Sequence, residues 1–72
     1  LNASQNYAEE LLIKAATHGW TDIVKELIIR KVDVNFKPHG TNINALNSAN
    51  ENGHLAIGKL LLASGAKYIN AE

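Results

Sequence analysis

Gly53 follows Gly19 at an offset of 53 − 19 = 34 residues, and other residues repeat at that same offset. Leu12 meets Leu46, Ala15 meets Ala49, Ile23 meets Ile57, Lys25 meets Lys59 and Leu27 meets Leu61. Several identities at one offset, with glycine on glycine, mark an internal repeat. This constrains the fold more than any single motif does. A unit of this length cannot bury its own apolar face, so successive units must stack on one another.

The second copy, residues 44–70, shows the unit most clearly. Leu46 and Ala49 are three apart, on one side of a short helix that Gly53 stops. Ile57, Leu60 and Leu61 then form a stripe at i, i+3, i+4, and Gly65 ends that helix. In the first copy, residues 1–5 read as a frayed lead-in. Asn6 with Glu9 resembles a capping box, opening a helix over about residues 7–17. Leu12, Ala15 and Ala16 line one side of it, with Leu11 beside them, and Glu10 stands one turn before Lys14 in the favourable order. His18-Gly19 ends it. Thr21 or Asp22 can cap the next helix, whose stripe is Ile23, Val24, Leu27 and Ile28. Arg30 and Lys31 sit in its last turn, where the carbonyl ends favour cations.

Between the copies the Val32-x-Val34 alternation predicts a short extended piece. Lys37-Pro38-His39-Gly40 predicts a type I turn with proline second and glycine fourth. Residues 41–43 then return antiparallel, and Asn44 caps the following helix. Each unit therefore reads as helix, turn, helix and a protruding hairpin-like finger.

The whole chain has 72 residues, close to the size at which one core is only just sufficient. Seven basic and seven acidic residues balance, which argues against a nucleic-acid footprint or a polybasic membrane patch. There is no cysteine, hence no disulfide framework and no thiolate metal site, and an intracellular setting is the simpler reading. No apolar run reaches the length of a membrane span, and no signal-peptide pattern opens the chain. The sequence begins at Leu1 and has no methionine, so it is expected to be a piece of a longer protein.

A period of this length suits two repeat families. The Asp33-Val34-Asn35 finger and the short glycine-ended helices do not suit tetratricopeptide repeats. The sequence instead resembles ankyrin repeats. Their run of Thr-Pro-Leu-His-x-Ala-Ala-x-x-Gly-His, a helix ending in Leu-Leu and then Gly-Ala-Asp-Val-Asn is recognisable twice. The second copy matches at Leu46, Ala49, Gly53, His54, Lys59-Leu60-Leu61-Leu62 and Gly65-Ala66. The first matches at Leu12, Ala15-Ala16, Gly19, Ile23-Val24-Lys25, Leu27 and Asp33-Val34-Asn35. The resemblance implies an all-α ankyrin-repeat solenoid: one domain over residues 1–72, with repeats over about 6–38 and 39–72. There are departures. Neither first helix opens with Thr-Pro-x-His, and Trp20 stands at the His54 position. Lys31 stands where the second copy has Gly65, which removes the preferred C-cap residue. Gly58 replaces Val24, at a cost of roughly 1 kcal/mol in a helix, and close helix packing is the expected reason. Tyr68-Ile69 shows one extra residue in the second finger. The repeats are degenerate, and lower stability than that of a consensus array is expected.

No constellation recommends catalysis, and neither a cofactor nor a metal is expected. His54, at the repeat's Gly-His position, is expected to bridge adjacent repeats, while His18 and His39 lack acidic or histidine partners at ligand spacing. Ser4, Ser48 and Ser64 lie in no nucleophile elbow. Asp22, Asp33, Glu26 and Glu51 read as caps, turn residues and solvated faces. Lys25, Arg30, Lys31 and Lys37 read as a solvated basic strip. Asn35 lies in a context resembling substrates of asparagine hydroxylases; the simpler expectation is a turn residue bonding its own backbone.

What remains is surface. The resemblance implies a partner protein gripped by the finger, at Phe36, His39, Gly40, Thr41 and Ile43, and by helix-end residues Thr17, His18, Glu51 and Asn52. Phe36 is either the aromatic anchor or packs against its own finger or a neighbouring unit. The implied role is a protein–protein interaction scaffold, with no nucleic-acid or membrane partner. The alternative is a structural spacer, cap or regulatory segment for another domain of a longer chain. Two repeats fall short of the usual minimum of about three, so flanking repeats or self-association are expected to cover the open ends.

Overall fold

The computed structural model describes residues 6–69; the expected lead-in, the tail from Asn70 and Ser4 lie outside them. The helices among the described residues are α1 (Tyr7–His18), α2 (Thr21–Ile29), α3 (Ala45–Glu51) and α4 (Leu55–Ala63). The 34-residue offset carries both ends of α2 onto those of α4. α1 is longer than α3, 12 residues against 7, because it begins one turn earlier in the repeat.

All four helices close in the same way. Trp20 N–H donates to Ala15 O (2.9 Å), Val32 N–H to Leu27 O (3.3 Å), His54 N–H to Ala49 O (2.8 Å) and Ala66 N–H to Leu61 O (2.9 Å). This six-residue closure occupies a helix carbonyl that would otherwise be orphaned. It needs a left-handed residue just before the donor. Gly19, Gly53 and Gly65 supply it, and so does Lys31, at φ 65°. The closure after α2 therefore forms without the preferred glycine, at a steric cost of about 1 kcal/mol.

The helix starts are less regular. Asn6 makes no side-chain cap bond, so the expected capping box does not form. Glu9 instead accepts a hydrogen bond from Asp33 N–H (3.1 Å) and ties α1 to the finger. Neither Thr21 nor Asp22 caps α2: Trp20 holds the N-cap position without a side-chain bond, and Thr21 is already helical. Asn44 does cap α3, its Oδ1 accepting from Asn47 N–H at 2.8 Å.

α1 packs on α2 and α3, α3 on α4, and α2 on α4, giving an inner layer of α1 and α3 and an outer layer of α2 and α4. Ala15, Ala16, Ala45 and Ala49 are buried in the inner layer, where small side chains let helices approach closely. Leu12, Val24, Leu46, Ile57 and Leu61 fill the centre with almost no exposure. Each such aliphatic side chain contributes about 1.5–3 kcal/mol by leaving water. Gly58 is buried, yet a Cβ there would meet only Leu46 Cδ1, at an ordinary 3.8 Å. Close packing is therefore not the reason for this glycine.

The finger keeps a turn but builds no strand among the described residues. Thr41 N–H donates to Pro38 O (3.1 Å) and Gly40 has φ 80°. The turn is thus Pro38–Thr41, one residue later than the Lys37–Gly40 reading. A left-handed third residue makes it type II rather than type I. An earlier turn, Phe36 N–H to Asp33 O (3.2 Å), interrupts the arm that was expected to be extended.

Candidate partner-binding surface

The finger tip is tied together by its own side chains. Lys37 Nζ donates to Thr41 O (2.8 Å), Thr41 Oγ1 donates to Pro38 O (2.8 Å), and Ile43 N–H donates to Thr41 Oγ1 (3.4 Å). These bonds leave Thr41 half-buried, while His39, Gly40 and Ile43 stand in solvent. Ile43 is 46% exposed, directly beside Asn44, which is 2% exposed. Phe36 is half-buried, which fits packing along the finger as well as contact at its edge.

Three asparagines fix the chain around this tip. Asn44 Nδ2 donates to Lys67 O (2.9 Å), and Asn47 Oδ1 accepts from Ile69 N–H (3.2 Å). Asn35 makes a two-point contact: its Nδ2 donates to Gly65 O (3.1 Å) and its Oδ1 accepts from Lys67 N–H (2.8 Å). Side-chain amides thus satisfy the backbone of residues 65–69. The expectation that Asn35 bonds its own backbone is corrected. Its amide bridges to the second copy, and Asp33 Oδ1 takes the Asn35 N–H instead (3.0 Å). The bridging roles of Asn44 and Asn47 were not read from the sequence; an asparagine at the N-cap signals only its local bond.

At the other end of the inner layer, His54 Nε2 lies 3.2 Å from Thr17 O. The imidazole rests so closely on Gly19 that a Cβ there would be 2.8 Å from Cε1. His54 therefore bridges the two helix pairs, as its place in the repeat implies. Thr17 turns inward too, its Oγ1 donating to Ile13 O (2.8 Å), which leaves it half-buried. His18 is exposed and stacks on Trp20, with centroids 4.8 Å apart. Glu51 and Asn52 are exposed, and Asn52 Nδ2 returns to Ser48 O (2.8 Å).

The nine surface residues therefore form two groups. Phe36, His39, Gly40, Thr41 and Ile43 precede the N-terminus of α3. Thr17, His18, Glu51 and Asn52 stand at the C-terminal ends of α1 and α3. The length of α3, about 10 Å at 1.5 Å per residue, separates them. Among the described residues no group of three or more His, Cys, Asp or Glu could hold a metal ion, and no helix is long and apolar enough to cross a membrane.

Helix pairs stacked in register, closed by the same carbonyl bond and linked by a finger, define a helical repeat protein. A family model described as ankyrin repeats, in three copies, matches residues 1–72, and the chain belongs to the ankyrin-repeat family. Comparison with curated proteins and with solved structures finds no match. Ankyrin repeats are generally protein–protein interaction modules and typically non-catalytic.

Proposed function

We propose that this chain recognises another protein through the finger tip and the exposed ends of its inner helices, without catalysis. The observation that carries the reading is Ile43. An apolar side chain is held in solvent two residues after a hydrogen-bonded turn, next to a buried asparagine that caps α3 and bonds Lys67 O. A fixed backbone removes part of the ordering cost of binding, and an exposed aliphatic group gives a partner area to bury. His39 and Gly40 stand in solvent on the preceding turn, and His18, Glu51 and Asn52 extend the surface across the inner layer. The repeat boundary falls in the Pro38 turn, so the finger belongs jointly to both units.

A photo-reactive residue at position 39 or 43 of the full-length protein should cross-link one partner, whereas one at Leu62 on the outer layer should not. Ile43→Arg should weaken that binding at least about tenfold and leave the circular-dichroism melt unchanged. A loss of binding that merely tracks a loss of melting temperature across finger variants would favour the spacer reading.

A further inference from the structure

Among the described residues, the two end faces of the stack carry groups that suit each other. Within the chain, the groove between α2 and α4 is formed by Thr21 and Lys25 on one side and by Ala56, Lys59, Leu60 and Ala63 on the other. Moving each residue by one repeat gives the groove that a second copy would form by continuing the stack. Thr21 and Lys25 become Leu55 and Lys59 of the first copy; Ala56, Lys59, Leu60 and Ala63 become Asp22, Lys25, Glu26 and Ile29 of the second, so the lysine pair already present in the internal groove recurs there. Two neutral side chains are thus replaced by two carboxylates one helical turn apart, and the residue that faces them is a lysine. Leu55, 63% exposed, and Ile29, 70% exposed, lie on the same two faces.

The inner layer shows the same correspondence. His54 sits on Gly19 and reaches Thr17 O. One repeat on, the equivalents are Trp20, Gly53 and Glu51 O. Gly53 has nothing within 4 Å of its would-be Cβ, and Trp20 is 42% exposed with an indole N–H, a donor only, to offer the carbonyl. Lys14 and Asn50 replace the buried Ser48 and Ala16, so such a joint is more solvated than the internal one.

We propose that copies of this chain associate end to end, with Lys59 of one copy between Asp22 and Glu26 of the next and Trp20 seated over Gly53. The joint uses different surfaces on its two sides, so it does not close at a dimer. It is independent of the finger.

Sedimentation of the full-length protein tests this. The mass should rise reversibly with concentration without levelling at two copies, and the association should weaken in high salt, which screens exposed ion pairs. Glu26→Lys and Lys59→Glu should each weaken association at least about tenfold, because like charges then face each other. The double variant, and an equimolar mixture of the two single variants, should recover it. A monomer at every concentration would show the ends covered by other parts of the chain and would overturn the proposal. Association that stops at two copies, or that is equal in all variants, would overturn it as well.

Discussion

α2 and α4 occupy the same place in the repeat, yet they differ in what covers them. Ile57 is 1% exposed and Ile23 is 38% exposed, although the two isoleucines are one repeat apart. Ile57 lies between the helix pairs, whereas Ile23 faces the open end. The difference shows that burial here is set by position in the stack and not by residue type. The same comparison separates Gly19, pressed by His54, from Gly53, which nothing presses. It also separates Gly65, which adopts its left-handed backbone freely, from Lys31, which is forced into the same region.

The largest effect should come from truncating the two isoleucines. Ile57→Ala should destabilise by about 2–5 kcal/mol in chemical denaturation, through lost transfer energy and the cavity left behind. Ile23→Ala should cost less, about 1–2 kcal/mol, since over a third of its surface is already wet. Equal losses would mean that the N-terminal end is covered.

Next come the glycines. Gly53→Ala should cost about 1 kcal/mol, the strain of a left-handed alanine. Gly19→Ala should cost clearly more, because its Cβ also collides with the His54 ring. A His54→Ala background should remove that excess and leave the two glycine variants alike.

Two substitutions should stabilise. Lys31→Gly relieves the strained closure of α2 and should raise stability by about 1 kcal/mol in thermal melts. Gly58→Ala should add about 0.5–1 kcal/mol through helix propensity, its methyl group meeting only Leu46 at van der Waals distance. A loss at Gly58→Ala would show that the helices are closer there than the spacing allows.

The smallest effect belongs to Glu26 and Arg30, paired at 2.8 Å on α2 with both side chains more than half exposed. Glu26→Gln should cost a few tenths of a kcal/mol, and less in high salt.

Much of the fold was legible in the sequence. The repeat offset, the core positions Leu12, Ala15, Leu46, Ala49, Ile57 and Leu61 and the Asn44 cap all depend on spacing that the residue string displays directly, whereas the His54 bridge was implied by the resemblance to ankyrin repeats. The finger was less legible. Its turn slipped by one residue because proline suits more than one turn position, and the choice went to the arrangement that gave Gly40 its positive φ. The Glu9 reading failed because a capping box competes with any backbone N–H within reach, and Asp33 N–H is within reach only once the units have stacked. Of the surface residues, Thr17 and Thr41 proved partly committed to internal bonds. Hydroxyls find partners that sequence neighbours alone do not predict.

By itself the sequence determined the periodic facts: which positions recur, where the glycine-ended helices stop, and that one unit needs another; α2 ends at Ile29, so Arg30 and Lys31 lie beyond the last turn in which they were expected. Those follow from local geometry, because helix pitch and left-handed stops act over a few residues. Only the tertiary structure decided which of two equivalent residues is covered. It also decided which asparagines reach across to the 65–69 segment, and that Gly58 has room to spare. These depend on distances between units, which no periodicity within a unit contains. The repeat shows that Ile23 and Ile57 are the same position; the stack alone shows that one of them meets water.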